Sequence, residues 1–285
     1  MRDTSLIIDH IPPLQSPLLI AGFEGWGNAL DVSIGMVDFM IRALKATSFA
    51  HLNPDPYYRY DEQRPRVRVE NGRLTELTSP AAEFFSVSRA DAGRDLILFR
   101  ATEPHLQWYR FTSAVLSVCE QTETATLITL GSMFDDVLHS YTNVSAFASR
   151  HELLSGLERA YRIAPVNYKG PSAIHSILHQ EAAKRGMDAV SFWCHCPYYL
   201  QGTTHFGLLS HLGSLLASWG RFRLDTRELD ETWRDLNRQI QEIIEKNPEL
   251  QHMITDLRRA KVKGSWDGAK RHDNVIHLED FLRPG

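Results

Sequence analysis

A short, uninterrupted apolar run that breaks into a glycine turn and then a helical repeat constrains this chain more than any other stretch. Residues 18–23 read Leu-Leu-Ile-Ala-Gly-Phe, the pattern of a strand buried on both faces. Glu24-Gly25-Trp26-Gly27-Asn28-Ala29 follows. Ala29, Val32, Ser33, Met36, Phe39, Met40 and Ala43 then recur every three or four residues, which gathers them on one helix face. Asn28 is placed to cap that helix through a backbone N–H, and Asp31 suits its first turn. Strand, tight turn and helix open an α/β sheet, and the turn falls at the strand's carboxyl end, where such sheets place their sites.

Further along, residues 49–52, 95–99, 126–130 and 189–195 are short apolar runs of the same kind, each expected to be a core strand. Residues 67–69 and 74–77 flank Asn71-Gly72, whose positive φ angles suit a type I′ hairpin turn. Helices are expected from Glu103-Pro104 to about residue 120, over 151–161, from Gly170-Pro171-Ser172 to Arg185, and over 205–219. Residues 165–168 are a further strand candidate. The polar segment 133–149 reads as a long irregular loop, and Tyr57-Tyr58-Arg59-Tyr60 as an aromatic contact surface. Strands and helices alternating at short spacing imply an α/β fold: a mostly parallel mixed sheet with helices on both faces.

The pattern changes after residue 224. Leu229, Trp233, Leu236, Ile240 and Ile243 follow a 4-3-4-3 spacing among charged residues. Asn247-Pro248 reads as an N-cap with proline in the first helical position, after which Leu250, Met253, Ile254 and Leu257 resume an apolar face. This divides the chain into an α/β core over 1–223, an appended helical pair over 224–262 and a flexible linker and tail over 263–285. Residues 275–278, with Phe281 and Leu282, read as a segment able to dock.

The formal net charge of −4 supplies no basic field for nucleic acid or anionic lipid. Three cysteines do not make a disulfide framework over 285 residues. The first residues carry too few apolar side chains for a signal peptide, and no run is long enough to cross a bilayer. A cytoplasmic protein that binds neither nucleic acid nor membrane is expected.

Chemistry is sparser. Gly22, Gly25 and Gly27 are spaced G-x-x-G-x-G rather than as a dinucleotide fingerprint, and Glu24 stands where a pyrophosphate would lie. In a parallel sheet, Thr102, Glu103, Ser132, Asp135, Asp136, His139, Cys194 and His195 gather near Glu24 at the strand ends. Gly131-Ser132-Met133 is not a nucleophile elbow, however, and no roles follow from the residue types alone. Cys194-His195-Cys196, and His175 with His179, lack the spacing of a complete metal site; the cysteines share a strand face and suit the core, and the histidines line a helix surface. No cofactor and no metal is expected. Aromatics in or beside loops, including Trp108, Tyr109, Tyr198 and Tyr199, suit protein contact, which favours oligomerisation.

Several short motifs, taken in order, carry a resemblance. Gly22-Phe23-Glu24-Gly25-Trp26 with Asn28-Ala29, Asp55-Pro56-Tyr57-Tyr58, Arg64-Pro65, Glu103-Pro104 before Trp108, the Gly131 loop with Asp136 and His139, Tyr168-Lys169-Gly170-Pro171, and Trp193 followed by Pro197-Tyr198-Tyr199 resemble the proteasome assembly chaperone family. The likeness spans about residues 18–220, and the appended helices resemble those of its bacterial branch. Gly27 interrupts the family pattern, and Phe281-Leu282-Arg283-Pro284-Gly285 differs from the hydrophobic–tyrosine–any-residue ending through which archaeal members dock. The resemblance implies a three-layer α/β/α sandwich similar to phosphorylases and related hydrolases, a homo-oligomer and a protein partner, and it brings no catalytic residues. The function expected is a non-enzymatic scaffold or assembly-chaperone-like protein, with Glu24, Trp26, Asn28, Asp135, Asp136, His139, Tyr168 and Tyr198 as binding residues. The alternative is an enzyme or small-ligand binder using the strand-end crevice, phosphorylase- or hydrolase-like or carboxylate–amine ligase-like.

Overall fold

The computed structural model describes residues 5–88, 93–263 and 276–277. The strands are β1 (Leu6–Ile8), β2 (Leu18–Glu24), β3 (Thr47–Leu52), β4 (Arg66–Glu70), β5 (Arg73–Thr78), β6 (Ala82–Val87), β7 (Leu96–Thr102), β8 (Thr126–Asp135), β9 (Val144–Ala148), β10 (Ala164–Pro165), β11 (Asp188–Pro197), β12 (Leu200–Gln201) and β13 (Ile276–His277). The helices are α1 (Val32–Ala43), α2 (Trp108–Gln121), α3 (His151–Tyr161), α4 (Ile174–Lys184), α5 (Phe206–Gly220), α6 (Arg227–Lys246) and α7 (Pro248–Lys263).

Nine strands form one mixed sheet in the order β1-β3-β6-β7-β2-β8-β11-β9-β10. The four central strands β7, β2, β8 and β11 run parallel. Antiparallel pairing takes over on both flanks, through β6, β3 and β1 on one side and β9 on the other. β2 has parallel neighbours on both sides, which is why its apolar run is continuous rather than alternating. Alternation survives in direction. Leu18 and Ile20 pack into the core shared with α1 and α5, whereas Leu19, Ala21 and Phe23 pack into the core shared with α2 and α4. The α/β/α layering follows. Each of the Leu, Ile and Phe side chains among them, once fully buried, stabilises the fold by about 1.5–3 kcal/mol.

The α6 helix extends the first of these cores outward. Leu229, Leu236, Ile240 and Ile244 are buried in it, and Trp233 and Ile243 pack against it. Asn247 Oδ1 accepts the N–H groups of Glu249 and Leu250, so the cap-plus-proline signal does start α7. Leu250 and Ile254 then return to the same core. Among the described residues no helix is long and apolar enough to cross a membrane.

Several sequence expectations are corrected. α2 starts at Trp108, not at Glu103-Pro104, because Gln107 takes a left-handed conformation and accepts the first helical bond, from Phe111. α1 starts at Val32, after a 3-10 turn at Ala29–Asp31 in which Leu30 and Asp31 are left-handed. Segment 133–149 is not irregular throughout: β8 runs on to Asp135, and β9 inserts beside β11. The strand expected over 165–168 pairs only at Ala164–Pro165. Strands β1 and β6 are additional; they carry the antiparallel flank. Tyr57 and Tyr58 are buried rather than exposed. The hydroxyls of Tyr57 and Ser5 lie 2.5 Å apart, and Tyr58 donates to the Thr102 carbonyl at 2.8 Å. His175 faces the sheet, fully buried, with Nε2 2.7 Å from the Leu130 carbonyl oxygen. Cys194 and Cys196 are buried on one core, as their spacing implies. Of the linker and tail expected over 263–285, Lys263 is the last residue of α7 and Ile276–His277 pairs in parallel with Leu200–Gln201; the remainder lies outside the described residues.

Candidate strand-end site

The parallel register of β2 and β7 sets Glu24 opposite Thr102, and Thr102 Oγ1 donates to Glu24 Oε2 at 3.4 Å. One residue on, Glu103 holds the glycine turn. Its Oε2 accepts the Trp26 N–H at 3.0 Å, while Oε1 accepts the Ile174 N–H at 2.9 Å. The second bond places a carboxylate on the first turn of α4, where the helix dipole favours negative charge. Trp26, carried by this turn, is 61% exposed. A groove of about 580 Å³ opens beside it, lined among others by Glu24, Trp26, Arg59, Glu62, Glu103 and Trp108. Arg59 is neutralised there by Asp61 and Glu62. Asn28 supports the turn from behind: Oδ1 accepts the Ile34 N–H and Nδ2 donates to Asp31, while its backbone bridges to Ser132.

Asp135, Asp136 and His139 lie outside the lining of this groove, so the single cluster anticipated around Glu24 is corrected to three separate arrangements. In the second, His195 Nδ1 lies 2.7 Å from Asp135 Oδ2, and its Nε2 lies 2.9 Å from Ser145 Oγ. Burial raises the Asp135 pKa, but the His195 hydrogen bond and the Asp136 amide outweigh it and hold the carboxyl below its ordinary range. These are the contacts of a serine–histidine–aspartate relay. Ser145, however, is buried near the start of β9, paired with Trp193 on β11 and Ala164 on β10. A nucleophile needs an exposed oxygen and free amides for an oxyanion, and a strand laddered on both sides offers neither. The constellation therefore pins β8, β11 and β9 together.

The third arrangement seats the appended helix. His139 is buried, with Nδ1 2.7 Å from the Tyr199 hydroxyl and Nε2 2.8 Å from the Gln241 amide nitrogen on α6. With Gln241 donating to Nε2, the neutral ring carries its proton on Nδ1. His205 accepts the Leu208 N–H as the cap of α5, approaches the His139 carbonyl with Nε2, and stacks on Trp233 at 4.3 Å. Burial pushes both histidines down to about 4, with the positive charge of Arg258 acting the same way on His139.

Tyr198 sits between the second and third arrangements. Its N–H donates to the Asp135 carbonyl, its ring meets Tyr199 edge-on at 5.7 Å, and burial followed by the Asp136 charge raises its pKa. Tyr168 stands apart, 61% exposed, with its hydroxyl donating to the Pro171 carbonyl at 3.0 Å. Sequence reasoning did not single out Ser145 or Gln241. Their partners are 50 and 102 residues away, and neither carries a local signal.

A central parallel sheet layered between helices, with its glycine turn and an apolar helical pair added to one core, defines an α/β/α protein whose strand-end polar groups are largely committed to holding elements together. The chain belongs to the PAC2 family, whose sequence profile matches residues 19–244. A PAC2 family protein of Streptomyces avermitilis is 26% identical, with a TM-score of 0.74 over 84% of this chain and 99% of its own. A Mycobacterium tuberculosis proteasome-assembly chaperone homologue, Rv2125, is 24% identical, with a TM-score of 0.74 over 83% of this chain and 99% of its own. PbaB of Pyrococcus furiosus, an archaeal proteasome activator, shares the fold at 18% identity, with a TM-score of 0.66 over 85% of this chain and 99% of its own. No curated protein matches.

Proposed function

We propose that this chain is a non-enzymatic, assembly-chaperone-like protein that works as a homo-oligomer in the cytoplasm and docks a protein partner at the carboxyl end of its sheet. One observation carries the choice of binding over catalysis. Both oxygens of Glu103 are bound to backbone amides, so the acid at the heart of the groove holds Trp26 out at the rim. An exposed tryptophan on a rigid turn is the type of residue that dominates protein interfaces. Glu24 and Trp26 form the contact edge of this surface. Asn28 supports it from behind, Tyr168 gives a second exposed aromatic group, and Asp135, Asp136, His139 and Tyr198 belong to the neighbouring arrangements that hold the strands and the added helix in place. Family membership and likeness to proteasome-assembly chaperone homologues support the same role.

The test is affinity capture from a lysate of the source cells with wild-type protein and Trp26→Ala. A partner retained by the first and lost by the second, at unchanged melting temperature, supports the proposal. Equal retention by both removes Trp26 from the interface and overturns it.

A further inference from the structure

The groove beside Trp26 is not electrically neutral. Glu24, Glu62 and Glu103 line it as carboxylates, against the guanidinium of Arg59. That guanidinium is already neutralised, with Nη1 2.5 Å from Glu62 Oε1 and Nη2 2.9 Å from Asp61 Oδ2. His105 adds no compensating charge. Its Nδ1 accepts the Arg59 N–H at 3.3 Å, so the proton of the neutral ring sits on Nε2, 3.8 Å from Glu62. The bonds to Glu103 come from uncharged amides and leave its charge in place. Glu24 is freer still: it is exposed, and its carboxylate meets the Thr102 hydroxyl at 3.4 Å. Carboxylates on an open surface are simply hydrated, so charge by itself selects nothing. The walls add the selection. Trp26 presents an exposed indole, the Trp108 N–H is tied to the Pro104 carbonyl at 2.5 Å, which holds that ring in place, and Leu106 is exposed in the same lining.

We propose that this groove receives an arginine side chain of the protein partner, with its guanidinium against Trp26 and Glu24 and its stem along Leu106; the proposal rests on the reading of the strand-end surface as a docking site. Three features of arginine meet three features of the groove. An indole face attracts a cation through its quadrupole, and a flat guanidinium can stack on it. A carboxylate as lightly bonded as Glu24 can accept two parallel N–H bonds from the same head group. The aliphatic stem covers apolar wall while the charged end stays at the carboxylate. A lysine ammonium is more strongly hydrated and has no plane to stack, so it fits less well. An acidic or phosphorylated segment meets the excess of carboxylates and is repelled. At about 580 Å³ the groove is larger than one side chain requires, which suits an arginine carried on an extended segment over a small free cation.

The probe is the peptide acetyl-Gly-Gly-Arg-Gly-Gly-amide, with versions carrying lysine or citrulline in place of arginine; citrulline keeps the shape of the guanidinium and removes its charge. Each is titrated into the full-length, nitrogen-15-labelled protein, and the Trp26 indole N–H signal, assigned with Trp26→Phe, is followed. The arginine peptide is expected to shift that signal saturably, the citrulline peptide to bind about tenfold more weakly and the lysine peptide about threefold. Glu24→Gln, at an exposed position, should keep the wild-type melting temperature and weaken the arginine peptide about fivefold. Equal binding of the arginine and citrulline peptides, no saturable shift with arginine, or unchanged affinity in Glu24→Gln overturns the proposal. Argininamide binding as tightly as the peptide also overturns it, by assigning the groove to a small cation. Capture from lysate with Glu24→Gln beside Trp26→Ala separates the two readings. A partner lost with Trp26→Ala but kept by Glu24→Gln leaves the docking surface standing and overturns the arginine, whereas a partner kept by both overturns both.

Discussion

Acid should loosen the seating of α6 on the core, because the two histidines that make that contact are held neutral by burial. His139 and His205 are both pushed down to about 4, whereas an unfolded chain titrates its histidines near 6.5. Between those values the unfolded state binds more protons than the folded one, so stability falls as pH falls. The contribution is complete above about pH 6.5 and is lost progressively as pH drops toward 4. From pH 7.5 to 5.5 each histidine costs about 1.4 kcal/mol, and the pair about 3 kcal/mol. His175, His179 and His211 are shifted the same way by burial and add to the wild-type slope. The informative quantity is therefore the difference between wild type and a variant lacking the pair. Urea unfolding of wild type, His139→Gln and His139→Gln/His205→Gln at pH 7.5 and 5.5 measures it. The double variant should lose about 3 kcal/mol less than wild type between the two pH values, and the single variant about half that difference. Equal pH slopes in all three would refute the assignment of a buried, neutral network, whatever the variants do to stability at pH 7.5.

Two other substitutions probe how the elements are joined. A Cβ placed on Gly207 would lie 2.7 Å from the Trp233 ring, so Gly207→Ala should destabilise by about 1–2 kcal/mol despite its better helix propensity; Trp233→Leu in the same chain should recover part of that loss, read as a coupling in a thermal double-mutant cycle. Glu103→Ala leaves the Trp26 and Ile174 amides without their acceptor and should cost about 2 kcal/mol, because water can replace only the exposed one. Glu103→Gln keeps one oxygen and should lose about half as much by denaturant titration.

What the residues reveal locally and what they conceal divide along the range of the interactions involved. The β2 run, the Asn71-Gly72 turn, the α3 span and the Asn247-Pro248 start each rest on neighbours within a few positions, and each is where the sequence places it. β9 is different. Val144-Ser145-Ala146-Phe147-Ala148 sits in a polar stretch and becomes a strand because β11 offers it an antiparallel edge, a fact of tertiary pairing. Tyr57 and Tyr58 look exposed because their sequence neighbours are polar; Ser5 and Thr102 supply hydrogen bonds that make burial affordable.

The strand-end groups show the same division more sharply. A parallel sheet does bring Glu24, Thr102, Glu103, Asp135 and His195 to strand ends, as topology requires. Topology does not decide whether those groups remain free. Glu103 is taken by two amides, His195 by a serine and an aspartate on neighbouring strands, and His139 by a tyrosine and by the added helix. Catalytic use requires a group whose charge or proton is available to a substrate. In this chain Glu24 and Trp26 keep exposed surface at that end of the sheet, one a carboxylate with a single 3.4 Å contact and the other an indole on a braced turn. The locking of the neighbouring acids and histidines into the scaffold leaves these two groups as the ones at that end of the sheet open to a partner, which is the surface that the proposed binding role uses.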